Sequence, residues 1–389
     1  MPPNAQSGPA AFDRTRAAAV AGCLAFLLLG WAGLLVPSLV RSIEQDFGQS
    51  DAGMGLFYLV NAVLYGTGVL GGTLLTQRIG RRPILAGGVA LAAIGLFVLA
   101  SAGTWPIFLA GVIPFGVGCG TLDGAGNGLI LDLFPGARGR ALNLLHFCFS
   151  AGALACPAIV GRTVQAGVPW RTLLVGTALV AVPIVVLFTR AAMPSGRHTG
   201  DSGTAGRPGR LLLDRVLLVL GIAIACYVAS EVGVSNWLVR FLAAAPLEVA
   251  TTALTLYWAG LTVGRLASAR VGDRFDHAAF ATAACAATGV LILLAVLAPS
   301  TGLSIALFAA AGISSGPIFP LIVAIGGDRY PERSAAVGGY IAGAAVVGGI
   351  SYPPVMGFLS VTVGLPAAMA GTGALALIAA LVLILDRRR

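Results

Sequence analysis

The stretch GVGCGTLDGAGNGLILDLFP, residues 116–135, returns 196 positions later as GISSGPIFPLIVAIGGDRYP, residues 312–331. Gly116, Gly120, Asp132 and Pro135 fall on Gly312, Gly316, Asp328 and Pro331. The same shift, with no gap, carries Gly152, Pro157 and Gly161 onto Gly348, Pro353 and Gly357. A shift of 192 carries Tyr65, Gly72, Arg78, Gly80 and Arg82 onto Tyr257, Gly264, Arg270, Gly272 and Arg274. In a chain with 54 glycines, matched Gly and Pro arise easily, but matched Asp, Arg and Tyr do not. The chain reads as two copies of one unit.

Composition says what the unit is made of. Of 389 residues, 57% are hydrophobic and 10% charged, where a soluble domain carries about 25% charged. Twelve nearly uncharged stretches are each long enough to cross a bilayer about 30 Å thick. They are residues 17–40, 52–77, 83–102, 105–133, 139–163, 170–190, 212–240, 248–269, 278–298, 302–327, 334–360 and 364–386. The polar, Gly-rich and basic stretch 194–210 divides them six and six and reads as a flexible linker. The expected division is a tail 1–16, a bundle 17–190, a linker 191–211, a bundle 212–386 and a tail 387–389. The fold class is an all-α membrane protein of twelve transmembrane helices in two pseudo-symmetric six-helix bundles. The first apolar stretch is too long for a signal-peptide core, so it reads as a retained helix.

The net charge of +9 comes entirely from arginine, since the chain has no lysine. Nineteen of the arginines fall in the termini and alternate loops, and only Arg41, Arg162, Arg171 and Arg240 in the opposite loops. That asymmetry places both termini in the cytoplasm of a multi-pass protein of the cell membrane. The basic charge is topology, and no nucleic-acid partner is expected. All six cysteines lie within the apolar stretches and read as buried free thiols. No Walker-type P-loop is present, which argues against an ATP-driven pump, and the chain is not expected to be an enzyme or to hold a cofactor or metal.

Two parallel six-helix repeats joined by one linker describe a transporter whose halves alternate about a site near the midplane. Here the chain resembles the major facilitator superfamily. The loop GTLLTQRIGRRPIL (72–85) is similar to that superfamily's signature loop, with Gln77 in place of its acid, and Arg78, Gly80, Arg81 and Arg82 following. GRLASARVGDRF (264–275) is the degenerate second copy, with Gly264, Arg265, Arg270, Gly272, Asp273 and Arg274. The resemblance implies gating and close helix packing at both places. With Gln77 neutral, Asp132 or Asp328 is the candidate acid for the ion pair.

Within the repeat, Asp123 and Asn127 are four apart and share a helix face. A central Asp costs about 2.5–3.5 kcal/mol in a membrane helix, so intramembrane acids read as functional. In the next span Asn143 and His146 share a face, and the four residues offer hydrogen bonds to a polyol and groups able to hold a proton. Asn61 and Tyr65 share a face of span 2, and Tyr257 is the repeat partner of Tyr65. The order Leu122, Asp123, Asn127, then Leu142, Asn143, Leu144, His146, Gly152, Ala153 resembles the fucose–proton symporter family. With His at 146 it is closer to the sodium-dependent glucose transporter branch. Span 7, YVASEVGVSNWLVRFL (227–242), supports that branch with Glu231 at mid-span. Gly233 and the polar Ser235–Asn236 suggest a helix interrupted near its centre, with Trp237 able to stack on a sugar ring or to sit at the membrane interface.

The resemblance implies coupling of a cation, H+ or Na+, at Asp123 and Glu231. It implies a sugar contact from His146, and the shared helix faces and mid-span polar positions add Asn127, Asn143, Asn236, Trp237, Asn61, Tyr65 and Tyr257 as candidate substrate contacts. Span 17–40 contains no acid, whereas the fucose symporter uses one there, so coupling falls to Asp123, Glu231 or both, or is absent. Glu231 also has a structural reading, as an ion pair with Arg265. The expected function is import of a monosaccharide or similar polar solute with a cation, by a monomer in the lipid bilayer. The rival is proton-coupled export of an amphipathic compound, because GALACPAIVG (152–161) partly matches an exporter motif. Its recurrence as GGISYPPVMG (348–357) reads instead as helix packing. A solute-sensing membrane protein without flux is a third reading.

Overall fold

The computed structural model describes residues 9–191, 193, 214–271 and 274–387. Most of the expected linker, and Gly272 and Asp273 of the second loop, lie outside the described residues. Thirteen α-helices occur among those described: α1 Pro9–Phe47, α2 Asp51–Ile79, α3 Arg81–Ser101, α4 Trp105–Leu133, α5 Arg138–Gln165, α6 Trp170–Arg190, α7 Arg215–Phe241, α8 Leu247–Val271, α9 His277–Val296, α10 Thr301–Ser315, α11 Ile318–Arg329, α12 Ser334–Val363 and α13 Leu365–Arg387. Because α10 and α11 form one broken span, these make twelve spans. Eleven are both long and apolar enough to cross a membrane. The twelfth, α8, has the length but carries Glu248, Arg265 and Arg270.

The helix ends follow from local chemistry. Gly80 turns the chain from α2 into α3 at φ 89°, a left-handed conformation that suits glycine. Ser300 accepts from the Leu303 N–H to open α10, and Asp276 from the Ala279 N–H to open α9. Asp214 opens α7, accepting from the N–H groups of Val216 and Leu217, and Tyr330 Oη donates to the same oxygen at 2.5 Å. The Tyr330 hydroxyl, followed by those two amides, holds the Asp214 carboxyl below the usual carboxylate range. A depressed folded value means the contribution is complete above about pH 4, the unfolded value, and fades as pH falls through the lower folded one. Asp214→Ala is expected to cost about 1 kcal/mol at neutral pH, read as a lower unfolding midpoint in detergent. An unchanged midpoint at neutral pH would reject this capping role.

Two expectations about helix continuity are reversed. α7 runs unbroken from Arg215 to Phe241. Ser235 Oγ donates back to the Glu231 carbonyl at 2.8 Å within the helix, and Gly233 lets α7 close on Thr372 and Met356. The small residue serves packing, not interruption. The break falls in the tenth span, at Gly316–Pro317, because Pro cannot donate to the i−4 carbonyl inside a helix.

The chain divides into two compact units. Among the described residues the first comprises 9–35, 60–155, 168–191 and 193, and the second 36–59, 156–167, 214–271 and 274–387. The second unit thus includes the ends of α1, α2 and α5 nearest the α1–α2 turn.

In the first unit Gly120 lies so close to α2 that an added Cβ would stand 1.9 Å from the Tyr65 carbonyl oxygen. In the second unit a Cβ on Gly316 would stand 2.4 Å from the Leu261 oxygen. Helix axes this close require glycine. Each residue of the second contact lies 196 positions after its counterpart in the first. The same shift relates α3 to α9 by their first residues, Arg81 and His277. In this packing register Tyr257 occupies the place of Asn61, and the 192-residue match of Tyr257 to Tyr65 is one helical turn out.

Candidate functional site

In the first unit the unusual acid of α4 is fully engaged. Asp123 Oδ2 accepts from Tyr65 Oη at 2.9 Å, and Oδ1 accepts from Asn127 Nδ2 at 2.9 Å. Asn127 Nδ2 also donates to the Asp123 carbonyl at 2.9 Å, as the four-residue helical spacing predicts. His146 of α5 lies within electrostatic reach of Asp123, with its ring edge-on to Phe26 at 5.8 Å. Tyr65, Asp123, Asn127 and His146 therefore form one polar cluster on three helices. Asn61, one turn before Tyr65, has a buried Oδ1 that accepts no hydrogen bond. Asn143 is exposed on α5. The cluster offers a carboxylate, an amide, a phenol and an imidazole, enough to hold a cation or proton beside a hydroxylated solute.

In the second unit Glu231 is the half-buried acid of α7. Its Oε2 accepts a short hydrogen bond from Tyr227 Oη, one turn earlier, and lies 3.8 Å from Arg265 Nη2 of α8. The Glu231–Arg265 ion pair read from the sequence as a structural alternative is thus present. Tyr257 is fully buried beside Ser315, within electrostatic reach of Glu231 and Arg265. The Asn236 carbonyl accepts from Tyr58 Oη at 3.1 Å. Trp237 has no exposed face: it is fully buried, its Nε1–H donates to the Pro353 carbonyl at 2.8 Å, and Tyr58 packs against its ring. In this structure neither ring face is open to a ligand or to the surface.

The signature loop resolves the question raised by Gln77. Gln77 and Arg78 are exposed. Arg81 turns inward along Gly128 and pairs with Asp132, its Nε 3.0 Å from Oδ2 and its Nη2 closer still. A side chain on Gly128 would collide with the Arg81 guanidinium. Arg82 Nη2 donates to the Ala191 carbonyl at 2.8 Å. The matching pair in the second unit is His277 with Asp328, at 3.1 Å. Gly264 packs on the Ile313 carbonyl, while Arg270 and Arg274 are exposed.

A third polar group escaped the sequence reading. At the α1–α2 turn Arg240 Nε lies 2.8 Å from Glu44 Oε2 and 2.7 Å from Asp51 Oδ1, and Ser360 Oγ donates a short bond to Asp51 Oδ2. The predicted first span ended at residue 40, whereas α1 runs to Phe47, so the first helix does carry a buried acid. A cavity of ≈ 350 Å³ opens there, lined by Arg41, Glu44, Gln45, Gln49, Arg240 and Ala243. None of the sequence-predicted substrate residues lines it. Among the described residues no group of three His, Cys, Asp or Glu side chains is arranged to hold a metal.

Comparison with known proteins agrees with this architecture. The family model described as Major Facilitator Superfamily matches residues 20–245 and 217–389. Sodium-dependent glucose transporter 1 of Xenopus laevis is 24% identical over 82% of the chain and 70% of that protein. The class G tetracycline resistance protein of Vibrio anguillarum is 27% identical over 79% of the chain and 77% of that protein. Among solved structures, a bacterial homolog of the human lysosomal transporter Spinster, inward-facing and occupied, superposes at TM-score 0.78 with 15% identity, over 95% of this chain and 96% of that one. The E. coli fucose:proton symporter superposes at TM-score 0.65 with 18% identity, over 94% and 98% of the two chains.

Proposed function

Because the chain belongs to the Major Facilitator Superfamily and is a membrane transporter, not an enzyme, we propose that it imports a monosaccharide or similar polar solute together with a cation. The observation that carries this reading is the hydrogen-bonded carboxylate of Asp123, held by Tyr65 and Asn127 inside an apolar helix. A carboxylate kept at that depth is expensive to maintain without a role. Its two hydrogen-bond partners are neutral, so a proton or sodium ion can neutralise the carboxylate, with His146 of α5 within electrostatic reach. Asn127, Asn61, Asn143 and His146 supply the donors and acceptors a polyol needs. Glu231 is the second coupling acid, with Arg265 as its counter-charge when no cation is bound, and Asn236 and Tyr257 supply further polar groups. Trp237 has no part in it. The arginine distribution supports a cell-membrane protein with both termini in the cytoplasm, and the working unit we propose is a monomer.

The test is uptake of a panel of labelled monosaccharides into proteoliposomes, with a proton or a sodium gradient imposed separately. Accumulation of at least one sugar under one gradient is the expected result. No sugar flux under either gradient would overturn the sugar reading. The similarity to a tetracycline resistance protein and the partial motif at 152–161 favour a second reading, proton-coupled export of an amphipathic compound. Proton-driven extrusion of such a compound, insensitive to His146→Ala, would establish that reading instead.

A further inference from the structure

Four helix segments of the second unit meet in one polar group at the α1–α2 turn. Glu44 comes from the end of α1, Asp51 from the start of α2, Arg240 from α7 and Ser360 from α12. Both carboxylates address the same nitrogen, Arg240 Nε, which carries a single hydrogen. Glu44 and Asp51 lie within hydrogen-bonding reach of each other. Glu44 is 9% exposed and Asp51 7%, so both carboxyls are largely withdrawn from bulk water.

The hydrogen-bond inventory is incomplete in an informative way. Asp51 uses both oxygens, one toward Arg240 and one toward Ser360. Glu44 uses Oε2 toward Arg240, while its Oε1 is buried and accepts nothing. A buried acceptor left without a donor is costly, and two carboxylates held side by side repel each other. The remaining neighbours supply no donor to that oxygen, although the Arg41 charge lies within electrostatic reach of Glu44. Arg41 of α1 directs Nη1 to the Ala245 carbonyl at 2.9 Å, and Tyr58 of α2 spends its hydroxyl hydrogen on the Asn236 carbonyl. One added proton removes both defects. It gives one carboxyl a donor and removes the repulsion between the two acids.

We propose that Glu44 and Asp51 hold one shared proton at the α1–α2 end, a proton site separate from Asp123 and Glu231. The ≈ 350 Å³ cavity lined by Arg41, Glu44, Gln45, Gln49 and Arg240 gives water access to it. The site ties proton occupancy to packing. With the proton present, α1 and α2 are drawn onto α7 and α12 through Arg240 and Ser360. With it removed, two like charges compete for one guanidinium and the four segments lose their fastening. The proposal does not depend on which solute the protein carries.

Infrared difference spectra of the full chain in detergent, recorded as pH is raised with no substrate added, test it directly. The wild-type protein is expected to show a protonated-carboxyl C=O band that disappears on alkalinisation. Glu44→Gln and Asp51→Asn are each expected to delete that same band, because the acid left behind pairs alone with Arg240 and ionises. Glu44→Asp keeps both acids and is expected to keep the band at a shifted frequency, which guards against a variant that merely misfolds. Loss of the band in only one of Glu44→Gln and Asp51→Asn would assign the proton to a single acid and overturn sharing. Persistence of every protonated-carboxyl band in both variants would overturn the site altogether.

Discussion

Asp123→Asn is expected to abolish gradient-driven accumulation while leaving solute exchange between the two faces of the membrane. The amide is nearly isosteric with the acid, its one oxygen can accept from Tyr65 Oη in the place of Oδ2, and Asn127 Nδ2 keeps its bond to the backbone carbonyl of residue 123, so the packing of α2 on α4 survives. What it lacks is charge. A neutral group cannot alternate between loaded and empty forms, and the thermodynamic link between cation and solute disappears. Coupling free energies of about 1–3 kcal/mol correspond to about 5–150-fold changes in affinity, and that is the range over which solute binding should stop responding to pH or sodium. The measurement is the steady-state concentration ratio in proteoliposomes, expected to fall to unity, beside counterflow of preloaded solute, expected to persist. Tyr65→Phe removes one hydrogen bond to the carboxylate, about 1.5–3 kcal/mol, so coupling should remain with a displaced pH dependence. Undiminished accumulation in Asp123→Asn would show that the cation binds elsewhere. Loss of both accumulation and counterflow would mark Asp123 as a substrate or structural residue.

The sequence made some of this legible and hid the rest for identifiable reasons. The helical spans announce themselves because a bilayer demands some twenty apolar residues in a row. Asp123 stands out for the same reason, as a charge in hydrocarbon. The hydrogen bond from Asn127 follows from its four-residue spacing. Glu44, Asp51 and Arg240 were invisible because polar residues at helix ends are ordinary. Only the convergence of α1, α2 and α7 distinguishes them from solvated termini, and no one-dimensional pattern records that. Trp237 shows the reverse error: an aromatic beside polar residues suggests a ligand platform, but the Pro353 carbonyl that occupies its indole lies 116 positions away. The break at Gly316–Pro317 was written in the sequence, yet hydropathy reads straight through it. Gly233 was overread, because a glycine that opens a helix and one that admits a neighbour look the same until the neighbour is known.

Asp132→Asn should destabilise the protein far more than Asp328→Asn, although the two acids are repeat partners. Both end a helix that follows the same packing register, and both face the first residue of another helix, Arg81 of α3 or His277 of α9. The environments differ. The Arg81 and Asp132 side chains are 6% and 15% exposed, whereas His277 and Asp328 are 27% and 72% exposed. Removing one member of a buried pair strands the other charge, at a cost of about 3–5 kcal/mol. An exposed pair is screened by water and contributes about 0–1 kcal/mol. Arg81 has no room to turn away, since it lies along Gly128 and its Nη1 already reaches the Ala125 carbonyl at 3.4 Å. The apparent unfolding midpoint in detergent should therefore drop sharply in Asp132→Asn and barely move in Asp328→Asn. The paired replacement Arg81→Met with Asp132→Leu should recover much of the loss, because it removes the stranded charge together with its partner. Equal, small shifts in both single variants would mean that Arg81 finds another counter-charge when Asp132 is neutralised, and the pair would then not be what fastens α3 to α4 in place of the missing acid at Gln77.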